Sequence, residues 1–345
     1  MTGQMVRQRI LLFVLLLAVG LASTARAQSA GSFARMGFGA RGMALGNAMT
    51  ADAFGDASPY YNPGLAPFAS GQNLEASAAL MSLDRELQFL QFATPIEPSA
   101  GLAVGLIHAG VSGIDGRDHS GYHTREYSTD EFAFFLAFGA RLGSRITVGV
   151  GLQLFRTDLI DELEAVNSIG IDIGFTADVT DRIRVGLAVD DLLARYSWDT
   201  STLYGASGTS TSDRFPVRLR LGGSYLLMDG RAQILAEVES RFSDLEYHTR
   251  GVEIVGSAPT ETRTSQRATL LHPGLRLAAE YGLSDVLTVR AGLDRIGSAV
   301  SGTSPSAGFS IEQPIGPLSV RGEYAFVMEP HDTGTMHIIA LRIFL

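Results

Sequence analysis

The sequence predicts an all-β chain, a 14-stranded antiparallel transmembrane β-barrel with an N-terminal plug (hatch) in its lumen. Three observations carry this. From residue 73 onward apolar and polar residues alternate with period two in segments of about ten, the signature of strands with one apolar face. Turn-rich short connections take strict turns with longer ones, as strands with tight turns on one rim and open loops on the other require. After residue 27 no apolar run approaches the ~20 residues of a spanning helix. A chain of this kind that crosses a membrane does so as a closed barrel.

Composition narrows the classes. The chain has 345 residues, 39 of them Gly and none Cys, which excludes disulfide scaffolds, Cys-ligated metals and thiol chemistry. Charged residues make up 18%, below the roughly 25% of an average soluble domain. The formal charge is −9 and all 27 basic residues are Arg, scattered rather than clustered. Such a chain is a poor binder of nucleic acid.

Residues 1–27 read as a signal peptide. Arg7 and Arg9 precede the apolar run from Ile10 to Leu21, and Ala25, Arg26 and Ala27 form an Ala-x-Ala site. No Cys follows, so a lipoprotein is not expected. Removing three Arg and no acid leaves 24 Arg against 36 acids, a balance of −12.

Residues 28–72 do not alternate. They hold Gly37, Gly39, Gly42, Gly46, Gly55 and Gly64, many Ala, and the turn Asn62, Pro63, Gly64. A short, small-residue-rich segment ahead of a barrel suits a plug folded into the lumen. Gly37-x-Gly39-x-x-Gly42 matches a dinucleotide fingerprint, but no strand precedes it and no βαβ unit follows. Close backbone packing accounts for these glycines better.

Residues 73–345 form the barrel, with strands expected near 73–81, 86–95, 100–109, 130–141, 146–156, 166–178, 183–191, 215–227, 231–242, 270–282, 286–296, 303–313, 317–328 and 336–345. The stretch 86–94 does not alternate cleanly. Leu219, Leu221, Tyr225 and Leu227 against Arg218, Arg220, Gly222 and Ser224 show the pattern elsewhere. Pro, Gly, Asp and Ser mark the short connections, for example Met228-Asp229-Gly230. The longer connections are expected at 110–129, 157–165, 192–214, 243–269, 297–302 and 329–335. A periplasmic β-sandwich or propeller is the soluble alternative, and the Gly, Ala and Ser of the polar face argue against it. The last strand alternates Ile339, Leu341, Ile343 and Leu345, which looks like the assembly signal read by the barrel assembly machinery, with Leu345 where Phe is usual.

Placing the apolar faces against outer-membrane lipid turns Arg218, Arg220, Glu237, Glu239, Arg276, Glu280, Arg290, Asp294, Arg321, Glu323 and Arg342 into the lumen, with Asp172 and Asp190. The mixture of signs favours a paired structural lattice over a charge filter. His119 and His123 lie in a Gly-rich loop and make a weak metal pair. No Gly-x-Ser-x-Gly elbow occurs. No enzyme, metal or cofactor is expected. Tyr196, Trp198 and Tyr204 suit an interfacial aromatic girdle, or a ligand-gathering mouth. Pro273 and Pro305 are candidate strand interruptions.

The stretch from Phe38 to Ala48, followed by Ala57 to Ala66, resembles the N-terminal signature of the PorV/PorQ family, outer-membrane barrels related to FadL-type transporters of hydrophobic compounds. That signature reads Gly-Ala-Arg-x-x-Gly-Met-Gly-x-Ala and then Trp-Asn-Pro-Ala-Gly. Here Ala44 and Leu45 replace the Gly-Met pair, Tyr61 replaces the Trp, and an Ala is missing between Pro63 and Gly64. The resemblance implies a fourteen-stranded barrel whose hatch includes Gly39, Arg41, Gly42, Gly46, Asn62, Pro63 and Gly64. It implies a FadL-like channel for hydrophobic or amphipathic small molecules. The alternative it leaves open is a PorV-like component of the type IX secretion system that binds secreted proteins.

Overall fold

The computed structural model describes residues 30–54, 58–160, 162–255, 258–298, 302–330 and 333–345, without the side chains of 244–268. The expected signal peptide lies outside the described residues. No helix among them is long and apolar enough to cross a membrane.

Sixteen strands follow in chain order: β1 (Asn73–Met81), β2 (Arg85–Ile96), β3 (Ala100–Arg117), β4 (His123–Leu142), β5 (Ile146–Asp158), β6 (Val166–Thr180), β7 (Ile183–Leu192), β8 (Arg195–Asp199), β9 (Ser210–Arg214), β10 (Val217–Leu227), β11 (Ala232–Val255), β12 (Ala258–Gly282), β13 (Leu287–Ile296), β14 (Ser304–Ile315), β15 (Leu318–Met328) and β16 (Thr335–Phe344). All but β8 and β9 close into one antiparallel barrel of fourteen strands, sealed where β1 pairs with β16 from Asn73↔Phe344 to Met81↔Met336. Closure leaves no sheet edge to face lipid.

The two faces of the wall separate by register. Leu90, Leu106, Phe134, Leu154 and Ile169 pair in one row across β2 to β6, and all point outward and exposed. Leu187, Leu221, Val238 and Leu275 make a like row across β7, β10, β11 and β12. Large apolar side chains exposed all round a closed wall are what lipid contact requires.

Several expected loops are strand instead. β3 and β4 reach into 110–129, and β11 and β12 pair continuously through most of 243–269, from Ser243↔Leu270 to Val255↔Ala258. Residues 112–124 lack clean alternation because nearly all of them are exposed, so hairpin pairing alone decides there. The 192–214 connection carries the small hairpin β8–β9 and a one-turn helix at Ser201–Tyr204. Nor do Pro273 and Pro305 interrupt their strands: they pair with Ser240 and Leu293. Each sits where pairing to its other neighbour has ended, since β12 meets β13 from Leu275 and β14 meets β15 from Ser306. A missing N–H is tolerated there.

Candidate functional site

The described residues of 30–72 touch every strand of the barrel and therefore lie inside it. The segment starts near the long-loop rim, where Phe33 packs edge-on to Phe155 at 6.5 Å. It then forms α1 (Gly39–Ala44) and ends in a 3-10 turn at Pro63–Phe68, next to β1. Asn62 starts that turn: its side chain accepts the Gly64 N–H at 2.9 Å, and Pro63 occupies the first helical position. The Asn62 amide also donates to the Thr50 and Phe175 carbonyls at 2.7 and 3.2 Å, tying segment to wall.

The wall makes room by omitting side chains. A Cβ on lumen-facing Gly101, Gly149 or Gly186 would overlap the backbone of Ala66, Pro63 or Thr50, respectively, and one on Gly139 would lie 2.6 Å from the Pro63 carbonyl oxygen. Gly101, Gly139, Gly149 and Gly174 pair in one row across β3 to β6. Within the segment, Gly46 approaches β13 so closely that a Cβ would stand 2.9 Å from Leu293 backbone atoms. A Cβ on Gly42 would strike the Tyr61 ring. Backbone thus packs on backbone.

Charge holds the two together. Arg41 binds Asp52 of its own segment through Nη1–Oδ2 at 2.7 Å and Nη2–Oδ1 at 2.9 Å, and Glu280 of β12 through Nη2–Oε2 at 2.7 Å. All three side chains are at most 4% exposed. Burial alone would lower the Arg41 pKa, but the two carboxylates hold it well above its ordinary value. Glu280 also accepts from Arg290 at 2.7 Å. Arg276 bridges Glu237, Glu239 and Asp294 at 2.5, 2.8 and 2.6 Å. Arg220 grips Asp190 at 2.7 Å and donates to the Tyr61 carbonyl, while Arg218 binds Asp191 at 3.0 Å. Glu237 accepts the Thr50 N–H at 3.0 Å. Arg342 pairs with Glu75. Arg321 stands apart, half-buried with Glu312 at 2.8 Å and 3.9 Å from Glu323.

The lumen is two-sided. The arc from β6 through β13 carries most of these ions. The arc from β15 through β16 and β1 to β5 presents Val327, Met336, Ile338, Leu87, Phe89, Ile107, Phe135 and Phe155, with Glu75, Glu323 and Arg342 towards the short-turn rim. Phe38 of the interior segment faces this apolar arc, stacked on Tyr60 at 4.6 Å and edge-on to Phe135 at 5.4 Å. These aromatic residues were not singled out in the sequence. The available signal was the failed alternation of 86–94: Leu87 and Phe89 point in while Leu90 and Phe92 point out, so both faces are apolar.

At the mouth, Tyr196 and Phe215 pack at 4.9 Å and Phe215 meets Phe155 at 4.7 Å, so Tyr196 belongs to an inward cap and not to a girdle. Trp198 lies beside Tyr196 at 5.8 Å, and Tyr204 is exposed. His123 bonds Asp115 at 2.7 Å. Two small hollows in the interior measure about 10 Å³ each, one of them against Phe38, Met43, Leu87, Phe89, Ile107 and Ile338. That volume suits about one water.

No family model matches the chain, and no curated protein sequence matches it. Solved structures share the fold. The chain is similar to the toluene transporter TodX of Pseudomonas putida, at 12% identity and a TM-score of 0.58 over 89% of this chain and 96% of that one. A FadL homologue of Pseudomonas aeruginosa gives 12% identity and a TM-score of 0.57 over 89% and 98%. The monoaromatic hydrocarbon channel CymD gives 15% and 0.55 over 89% and 96%.

Proposed function

We propose that this chain is an outer-membrane channel for hydrophobic or amphipathic small molecules, with residues 28–72 as its plug. One observation carries the reading: a barrel whose lumen holds a packed plug that turns an aromatic side chain towards an apolar arc of wall. A water-filled porin would keep an open polar lumen, whereas here the ions are spent on each other and on the plug. Paired buried charges of both signs hold structure and offer no ladder to an ionic solute. A compound entering past the Tyr196–Phe215 cap meets apolar wall from β15 round to β5, and the plug has to yield for it to go further. The fold shared with hydrocarbon and FadL-type channels is consistent with that route.

The N-terminal signature's likeness to PorV/PorQ supports a second reading, docking of secreted proteins. One feature favours it. Beyond Phe242 and Leu271, β11 and β12 pair only with each other for thirteen register pairs, a ribbon of about 40 Å at ~3.3 Å per residue. Its two edges are unpaired among the described residues.

The test is mass spectrometry of the protein extracted gently from its native membrane, reading co-purifying lipids, small molecules and proteins. The channel reading expects one hydrophobic compound enriched over bulk membrane and lost when Asn62 is replaced by Leu. Stoichiometric secreted proteins without an enriched compound would overturn it in favour of docking.

A further inference from the structure

We infer that a hollow between the plug and strands β13 to β16 is a binding site for one soft monovalent metal ion, Cu(I) or Ag(I), held by the thioethers of Met36, Met43 and Met336. A site of this kind does not depend on the channel reading.

Three of the residues around this hollow of about 10 Å³ are methionines, and they come from three separate stretches of chain. Met36 follows the 3-10 turn Phe33–Arg35, Met43 lies in α1, and Met336 points inward from β16, opposite Val327. Met43 and Met336 are 3% and 7% exposed. Gly37 brings the first two together: at φ +126° it turns the chain, and a Cβ there would lie 2.9 Å from Met43 Cγ. The Met43 side chain therefore folds back against the residue next to Met36. Asn47 fixes the other side, its amide donating to the Met36 carbonyl at 3.2 Å and its Oδ1 accepting from the Tyr61 hydroxyl at 2.8 Å. Methionine is the side chain that adapts to fill an irregular gap, so a hollow that persists where three of them meet asks for an occupant. The volume suits one water-sized body, and a bare ion is no larger.

The lining chooses the class of ion. Its oxygens are engaged: Ser306 donates to the Ala44 carbonyl at 2.9 Å, Ser304 to the Met328 carbonyl, and Asp294 takes Arg276 at 2.6 Å and Arg295 at 3.2 Å. Arg295 borders the hollow too, and Asp294 offsets its charge. Among the described residues no hydrogen bond reaches the three sulfurs, which leaves them as the uncommitted electron-pair donors. Hard cations such as Ca²⁺ and Mg²⁺ demand oxygen. Neutral, polarizable thioethers suit Cu(I) and its heavier analogue Ag(I) instead. A thioether has no proton to lose, so the ion displaces none on binding, in contrast to a thiol site. Two of the ligands belong to the plug and one to the wall, so the ion ties plug to wall. Met36 and Met336 lie near opposite ends of the sequence, and no spacing motif announces them.

The test is silver binding to the folded full-length barrel in detergent and chloride-free nitrate buffer, with retained metal counted by mass spectrometry after desalting. The unaltered barrel should hold one Ag(I) and no Ca²⁺ at the same concentration. Met43→Leu with Met336→Leu keeps side-chain volume and should weaken silver binding by about tenfold or more. Met228→Leu with Met328→Leu, two exposed methionines outside the hollow, should leave it unchanged. No tightly held Ag(I), or equal retention in the first pair of variants, would overturn the site. Where that double variant does not fold, Met336→Leu alone takes its place. X-ray absorption at the silver edge gives a second readout: three sulfur neighbours are expected, and a shell of nitrogen or oxygen would overturn the thioether assignment. Cu(I), kept reduced by ascorbate, should displace the silver, and failure to do so would overturn the copper half of the assignment. Ag(I) should also slow protease cleavage of residues 30–72 in the unaltered barrel, because a ligand that binds the docked plug stabilises it. Equal slowing in the Met43→Leu, Met336→Leu variant would put the ion elsewhere and sink the bridge between plug and wall.

Discussion

Arg41 and Glu280, 239 positions apart in sequence, are joined inside the barrel by two hydrogen bonds, Nη2–Oε2 at 2.7 Å and Nε–Oε1 at 3.2 Å. The pair links the short helix of the plug to the wall at β12. Because Asp52 takes the other edge of the same guanidinium, one cation fixes the fold of the plug and its place in the lumen at once. A planar, forked donor suits this double duty, and a lysine would serve only one partner well.

Arg41→Met should therefore release the plug more than it harms the wall. Breaking a buried pair by removing one partner costs about 3–5 kcal/mol. Glu280 keeps Arg290 and Asp52 keeps the Gln233 amide at 2.7 Å, which puts the loss at the lower end of that range. Protease should cut residues 30–72 many times faster in the variant, while the gel mobility of the folded barrel before heating stays unchanged. A plug as resistant as before would show that the clamp is dispensable.

How far such pairs are legible in sequence depends on distance along the chain. Period two places Arg276, Glu280 and Arg290 in the lumen, because a polar side chain on a membrane strand has only one face to occupy. It does not reveal that Arg41 meets Glu280, since plug and wall share no periodicity. Strands β2 and β4 obscure themselves: Phe89 and Phe135 point inward on an apolar arc, so the contrast between faces that marks other strands vanishes. Beyond Phe242 and Leu271, β11 and β12 pair only with each other, so no wall face imposes a pattern on their sequence there.

The glycine row should be sensitive to added volume. Gly149→Val would place branched carbon where Pro63 backbone lies. Overpacking of a filled interior costs about 1–3 kcal/mol, and the plug is the part able to shift. In planar bilayers the variant should conduct ions in bursts that the unaltered barrel lacks, with Gly223→Ala, where space is open to 4.0 Å, as the quiet control. Silence in both variants would mean that the wall, and not the plug, absorbs the strain.

A covalent lock can ask whether the plug must move. A Cβ on Gly222 would lie 3.6 Å from the Ala51 Cβ, inside the ~3.5–4.5 Å span of a disulfide. The chain has no cysteine of its own, so Ala51→Cys with Gly222→Cys adds a single bridge. Oxidised protein should fail to pass hydrophobic compounds into vesicles, and reduction should restore passage. Transport through the oxidised form would mean that only the part of the plug around Phe38 yields.

The lipid-facing wall offers a test that no plug movement can disguise. On β5 the outward positions run from Ile146 near the short-turn rim, through Val150 and Leu154, to Arg156 beside the long loops. Val150, 56% exposed, sits midway along that apolar stretch, and Gly149 and Gly151 on either side of it face inward. Val150→Arg should cost about 2–4 kcal/mol in equilibrium folding into lipid vesicles, against ~0–1 kcal/mol for Leu142→Arg close to the rim. The native Arg156 marks where an arginine is already tolerated, because its long stem reaches the interface. Costs near zero at both positions would mean that this face meets water, which would remove the membrane-spanning reading and the channel with it. A steep difference between the two fixes the depth of the barrel in the bilayer and leaves the capped mouth at Tyr196 and Phe215 as the side from which a ligand arrives.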